Sequence, residues 1–297
     1  IVDQLHFGPY LQGLGLTVLT KLPVVTREFL RAVLGVRQLT KFSLKFATLD
    51  QACVEMLTEA LLQNPHLQRV ALGPFAPPDF PYMHRLLSAL THLEELSSLE
   101  IVALEYEREE SGHFERLMLK GKLQALNLRS CRITKEMCEA MLENALLKSS
   151  ITKLYLSDNK FVDLASFVRV LSACKQLLSL RVHQQKISEE FVECLADGLH
   201  GCPSLRELHL SLTDTSSNKS TNMQKILAGI RQCPQLRCLS MDWIAVPPEM
   251  YPELRTSMLA LTHLEELAIE LVLPPDGPWD PKAVEMDQFL SRLPNLK

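Results

Sequence analysis

Long hydrophobic runs are missing from this 297-residue chain. No apolar stretch approaches the roughly 18–20 residues that a bilayer-spanning helix needs, so no membrane segment is expected. The opening residues IVDQLHF lack the form of a signal peptide. An excess of one charge is missing as well. Lys and Arg total 31 against 35 Asp and Glu, a formal net charge of −4, so the overall field offers no attraction to nucleic acid or to an anionic membrane. Eight cysteines are present, yet no C-x-x-C pair and no His/Cys grouping with zinc spacing occurs. Nor does the chain contain G-x-x-x-x-G-K, G-x-S-x-G, H-E-x-x-H or G-x-G-x-x-G, the spacings that mark phosphate loops, nucleophile elbows, zinc proteases and dinucleotide folds. LQGLGLTVL reads as a strand with small residues rather than a phosphate loop.

What is present is a globular composition, 46% hydrophobic and 22% charged, in a chain long enough to bury a large core. Cys53, Cys138, Cys174 and Cys194 sit inside apolar helical patterns, and Cys202 and Cys233 fall in the phrases GCPSL and QCPQL just ahead of a strand pattern. That placement predicts free, buried thiols in a reducing compartment. The expected location is the cytoplasm, with the nucleus open as a second site.

The chain repeats itself. L-x-x-L-x-L patterns begin at Leu11, Leu39, Leu67, Leu123, Ile151, Leu177, Leu205, Leu236 and Leu264, mostly 28 residues apart. A further one must begin at Leu93, Leu96 or Leu99, and Leu296 would open another. Within each pattern apolar residues alternate with the period of a strand. Between patterns the period becomes helical, as in QACVEMLTEALLQNPHL, KEMCEAMLENALLKSSI, LASFVRVLSACKQL and EEFVECLADGLHGCPSL. The octapeptide ALTHLEEL occurs at 89–96 and again at 260–267. Both copies are expected to mark one station of the unit, where a helix ends and L-E-E-L opens the strand. That favours a start at Leu93, although it sends Ser98 to a core position.

One strand and one helix in about 28 residues is a leucine-rich repeat of the long, helical kind. Neither element can bury its apolar side alone, so stacking must close the core. The expected fold class is therefore α/β, a leucine-rich-repeat solenoid of about ten strand–helix repeats forming a horseshoe, with parallel strands on the concave face and helices on the convex face. Residues 1–297 are expected to form a single domain. Neither end shows a polar capping repeat, so the chain is expected to be a segment of a longer protein or to have trimmed ends.

The repeats resemble the ribonuclease-inhibitor-like leucine-rich repeats, found in immune-receptor sensors, Ran GTPase activators, tropomodulin-type proteins and ubiquitin-ligase receptors. KLYLSDNKF carries the resemblance most clearly, with Asn159 at the position where the family places an asparagine that bonds the loop backbone. LNLRSCRIT puts Cys131 there, a substitution the resemblance associates with intracellular members and F-box-linked repeats. Gln185, Thr213 and Ala245 occupy or adjoin the same place and depart from the pattern.

Three segments interrupt the rhythm: FAPPDFPYM at 75–83, a polar excursion at 213–221, and LVLPPDGPWDPKAV at 271–284. Pro cannot join a ladder, which makes these rim loops. Trp279, placed among Pro, Gly and Asp, is the rim residue expected to meet a partner. EYEREESGHFER at 105–116 reads as a solvated helix face.

On the concave face the expected partner-binding residues are Lys41, Lys45, Arg69, Arg129, Lys153, Tyr155, Arg181, His183, His209, Asp242, Glu266 and Glu270. The sign of charge passes from basic to acidic along this series, which would orient a dipolar partner. Tyr155, beside Lys153 and one strand from Arg181 and His183, has the composition of a binding hot spot. His183, Glu207, His209, Cys238 and Asp242 on adjacent strands would be the only ingredients of catalysis or metal binding, but an open surface lacks a dry pocket and oxyanion donors.

The expectation is therefore a non-enzymatic protein–protein recognition module: the substrate-recognition or scaffold arm of an intracellular complex such as a cullin-type ubiquitin ligase. The alternatives are the sensor or autoinhibitory domain of an immune receptor and a regulator of a small GTPase. Protein partners are expected, with no cofactor, metal, nucleic acid, membrane or small-molecule substrate.

Overall fold

The computed structural model describes residues 11–17, 23–45, 49–74, 83–103, 111–119, 122–184, 187–212, 219–246 and 248–271, with isolated positions after 288. The chain divides into two compact units, residues 1–150 and 151–297.

In the first unit the strands β1 (Gly13–Thr17), β2 (Lys41–Lys45), β3 (Arg69–Leu72), β4 (Ser98–Val102) and β5 (Ala125–Arg129) lie side by side in chain order, all parallel. A two-residue strand, β6 (Arg132–Ile133), follows. The helices are α1 (Pro23–Val33), α2 (Gln51–Leu62), α3 (Met83–Leu90), α4 (Ser111–Leu119), α5 (Lys135–Glu143) and α6 (Ala145–Ser150). The second unit repeats the scheme with β7 (Lys153–Ser157), the two-residue β8 (Lys160–Phe161), β9 (Ser179–Gln184), β10 (Glu207–Leu212), β11 (Cys238–Val246) and β12 (Glu266–Leu271). Here β7, β9, β10, β11 and β12 pair in that order, again parallel. Its helices are α7 (Leu164–Ala173), α8 (Glu189–His200), α9 (Lys219–Ile230) and α10 (Tyr251–Ala260).

Each unit is a stretch of α/β leucine-rich-repeat solenoid. Pairing register explains the core. Phe42, Val70, Leu99 and Leu126 stand opposite one another across the first sheet, as do Leu44, Leu72, Ile101 and Leu128. All are buried. The second sheet does the same with Leu154, Leu180, Leu208 and Leu239. A fully buried leucine contributes about 1.5–3 kcal/mol, so the ladder is the main stabilising term.

Ahead of most of the long strands one carbonyl accepts two amides from the next repeat. Gln68 and Arg69 N–H both donate to Thr40 O, Ser97 and Ser98 to Gln68 O, and Glu265 and Glu266 to Arg237 O. Side chains close the helix ends. Asp50, Thr134, Asp163 and Ser188 each accept an amide at a helix N-terminus, which stabilises a helix by about 1 kcal/mol. At the other end, Asn64 accepts from Leu39 N–H and donates to Val36 O and Ala60 O. Three residues ahead of the head leucine of their own repeats, Cys202 and Cys233 take the same place. Cys202 Sγ donates to Leu171 O and Gly198 O, and Cys233 Sγ to Leu199 O and Gly229 O.

The uncertain repeat starts at Leu96. Arg69, Val70, Ala71 and Leu72 pair with Ser98, Leu99, Glu100 and Ile101, so Leu96 stands where Leu67 stands in the preceding repeat. Ala103, Ser130 and Asp158, each seven residues after a head residue, share a left-handed backbone with φ of 58°, 52° and 53°. This corrects the expectation that both ALTHLEEL copies mark one station. Leu264 heads its repeat, whereas Leu93 sits three residues ahead of the head, level with Leu261. Leucine every third residue, at 90, 93, 96 and 99, fits the pattern at several offsets, and the strand pairing decides between them. Leu93, Leu96 and Leu99 are all buried, and Ser98 faces outward.

Asn144 splits the expected single helix of 135–150 into α5 and α6, and its Nδ2 donates to Met118 O. The Pro-rich loops at 75–82 and 272–288 lie outside the described residues, as do 213–218 of the polar excursion, which ends where α9 begins at Lys219. Of the mixed segment 105–116, Ser111–Arg116 lies in α4, with Phe114 fully buried.

Candidate interaction faces

The alternate strand positions that avoid the core form an open face on each sheet. In the first unit one row reads Gly13, Lys41, Arg69, Ser98, Ala125, and the next Gly15, Ser43, Ala71, Glu100, Asn127. Lys41 and Arg69 are therefore directly opposite each other. Both are exposed, and among the described residues neither has an ion pair. Lys45 reaches past Ala71 instead, and its Nζ meets Glu100 Oε1 at 2.6 Å. The small Ala71 side chain leaves the path open. Lys41, Arg69, Ala71 and Glu100 border a groove of about 350 Å³. Val102 stands opposite Arg129, which is also exposed.

In the second unit the first row is Lys153, Ser179, Glu207, Cys238, Glu266, and the second is Tyr155, Arg181, His209, Ser240, Ala268. The first row passes from basic to acidic, as the sequence predicts for this stretch. Ser179 Oγ donates to Glu207 Oε2 at 2.9 Å and orients that carboxylate. The Arg181 guanidinium lies 4.9 Å from the centre of the Tyr155 ring, a cation–π distance that pre-positions both side chains. His183, opposite Ser157 and Ser211, places Nε2 3.6 Å from the buried Asp158 Oδ1. The Asp158 amide donates to the His183 carbonyl at 2.7 Å, so main chain and side chain join the same two residues.

Of the expected contact residues, Lys153, Tyr155, Arg181, His183, His209 and Glu266 share this second face, and Lys41, Lys45, Arg69 and Arg129 share the first. Asp242 pairs with Ser211 through its backbone, but a bulge between Met241 and Ala245 places Ala245, not Asp242, opposite Glu270. The side chains of Asp242 and Glu270, and all of Trp279, lie outside the described residues. Glu100 and Ser98 were missed because the register of their repeat was open. The spacing held a signal, since the midpoint between Leu67 and Leu123 is residue 95, one position from Leu96 and two from Leu93.

The one arrangement with catalytic ingredients brings Cys238 Sγ to 4.0 Å from His209 Nε2. Burial, followed by a hydrogen bond to the Glu266 carboxylate, pushes the Cys238 thiol up to about 11. A thiol held neutral is a poor nucleophile. Alkylation of Cys238 near neutral pH is expected to be slow and to rise about tenfold per pH unit until the thiol titrates near 11. Mass spectrometry of iodoacetamide-treated protein across a pH series measures this, and fast labelling at neutral pH would contradict it. Cys202 and Cys233 are pushed by burial to about 12. Among the described residues no group of three or more His, Cys, Asp or Glu side chains is placed to hold a metal ion, and no helix is long and apolar enough to cross a membrane.

No protein-family model matches the chain, and no curated protein matches it either. Solved structures do resemble it. An internalin C2 from Listeria monocytogenes is 16% identical over 71% of this chain and 74% of its own, with a TM-score of 0.41. The leucine-rich-repeat-containing protein LegL7 from Legionella pneumophila is 13% identical over 94% and 90%, with a TM-score of 0.49. TLR13, in a complex with ssRNA13, is 18% identical over 89% of this chain and 36% of its own, with a TM-score of 0.45. The repeat-by-repeat strand register and the intervening helices define the fold independently of these likenesses.

Proposed function

We propose that the chain is a non-enzymatic protein-recognition module that reads its partners with the open faces of its sheets. The observation that carries this reading is the Tyr155–Arg181 stack beside Lys153. An aromatic ring and a guanidinium held together on a rigid strand pair lose little side-chain freedom on binding, and such pairs dominate binding energies. Ser179 and Glu207 extend the same face with an oriented acceptor. Neutral Cys238 supports binding rather than chemistry.

The finer proposal is the substrate-recognition or scaffold arm of a cullin-type ubiquitin ligase in the cytoplasm or nucleus, with residues 1–297 acting as one domain and the adaptor-binding element elsewhere. Cys131 supports it: buried at the family's asparagine position, its Sγ bonds Arg129 O at 3.2 Å. Trp279 is proposed as a rim contact for the same partner.

The test is affinity capture from cell lysate with partners identified by mass spectrometry. Native protein is compared with a variant carrying Lys153→Glu, Tyr155→Ala and Arg181→Glu. Specific partners are expected to fall by at least about tenfold, as loss of a binding hot spot implies, while circular dichroism is unchanged. Recovery of cullin adaptors upholds the finer reading. Recovery of immune-receptor or GTPase components instead replaces it, and an unchanged partner set removes the Tyr155 face from the proposal.

A further inference from the structure

We propose that the open face of the first unit holds a carboxylate-binding groove built for an acidic segment of a protein partner, with Lys41 and Arg69 as the anion-holding pair. The inference rests on the reading of the chain as a protein-recognition module and gives that partner a chemistry.

Lys41 and Arg69 stand directly opposite on adjacent parallel strands. Like charges at such positions repel, and the arrangement is destabilising in the free protein. Among the described residues no acidic side chain neutralises either one. The nearby carboxylate of Glu100 is engaged by Lys45, at 2.6 Å. Among the described residues the face thus keeps two unneutralised cations side by side while satisfying the third, and an incoming anion would relieve the repulsion and form charge-assisted hydrogen bonds with both.

The space beside them suits a side chain. The groove has a volume of about 350 Å³, with Gly13 and Ala71 in its lining and the hydroxyl-bearing Ser43 and Ser98 on the same rows. Sites that take small groups are concave, with a few convergent polar groups, and begin at about 300 Å³. Two cations and two hydroxyls around small residues are the donor set for a carboxylate.

Glu100 decides between occupants. Its carboxylate lines the same groove. A nucleic-acid backbone presents a charge at every step and requires cations along its whole track. A peptide can place one carboxylate beside Lys41 and Arg69 and turn an amide N–H toward Glu100. The face therefore favours an acidic peptide over a polyphosphate chain.

The experiment uses the whole 297-residue protein and fluorescence anisotropy. The probes are a fluorescein-labelled peptide of alternating Glu and Ala, the same peptide with Gln for Glu, and a labelled oligothymidylate. The Glu peptide is expected to bind at least about tenfold more tightly than the Gln peptide, and Lys41→Ser with Arg69→Ser to weaken it by about the same factor, the scale of two charge-assisted contacts. Glu100→Gln is expected to tighten the Glu peptide about threefold by freeing Lys45 and removing a like charge. Lys41 and Arg69 are exposed and Glu100 is half-buried, and unchanged circular dichroism verifies that the fold is intact. Equal binding of Glu and Gln peptides, binding that survives loss of Lys41 and Arg69, or preference for oligothymidylate would each overturn the groove. The Lys153, Tyr155, Arg181 variant separates the two proposals, because it should lose lysate partners and still bind the Glu peptide. If that variant loses partners while no protein binds the peptide, the groove falls and the recognition reading stands.

Discussion

Replacing Gly201 with alanine is expected to destabilise the second unit by about 3 kcal/mol, the upper end of overpacking costs. A Cβ built on Gly201 would lie 2.2 Å from Ser172 Cα and 2.8 Å from Ser172 Cβ. The nearest atom is backbone, which cannot rotate away. Gly201 caps α8 with φ of −81° and ψ of −6°, an ordinary right-handed conformation. On conformational grounds alone, Gly→Ala at such a position would stabilise by about 0.4–1 kcal/mol through the unfolded chain. Packing outweighs that gain. Gly112 provides the control, since nothing lies within 4 Å of its added Cβ. Urea denaturation followed by circular dichroism should show a lower midpoint for Gly201→Ala and an equal or slightly higher one for Gly112→Ala. Equal midpoints for the two variants would show that α8 is not held against Ser172 as described.

Asn64→Leu is expected to cost the first unit about 3 kcal/mol, since three hydrogen bonds of about 1 kcal/mol each are lost. Asn64 is 1% exposed and joins Leu39 N–H, Val36 O and Ala60 O. Leucine leaves the amide and both carbonyls without partners in a dry interior, where an unmet polar group costs more than the bond itself was worth. Asn64→Cys should recover part of the loss, because Cys202 and Cys233 serve the same position with Sγ donors to two carbonyls. Thermal denaturation of the three proteins measures the series. A leucine variant as stable as the native chain would remove Asn64 from the repeat's scaffold, and a cysteine variant no better than leucine would deny the equivalence.

Much of the architecture was legible along the chain because two periods carry it. Alternation in KLYLS and ELHLSL marks strands, and helical spacing in QACVEMLTEALL marks α2. The candidate face residues followed from the same rule, since the positions between core leucines must face outward. The rule failed at one repeat. Where leucine recurs every third residue, local pattern assigns Leu93, Leu96 and Leu99 equally well, and identical text at 89–96 and 260–267 proved to occupy different stations. Glu100 was hidden by that ambiguity, and with it the pairing that satisfies Lys45.

By itself, then, the sequence determined the period, the alternation of strand and helix, and which side of each strand is apolar. These depend on interactions within one repeat, whose partners lie a few residues apart. Tertiary structure alone decided the register at Leu96, the role of Asn64 and Cys202 as carbonyl caps, the intolerance of Gly201 to a Cβ, and the contrast between Lys45, paired with Glu100, and Lys41 and Arg69, which have no ion pair among the described residues. Each of these depends on atoms from a neighbouring repeat, about 28 residues away. The distance between such atoms is set by how the repeats stack rather than by any local preference of the chain.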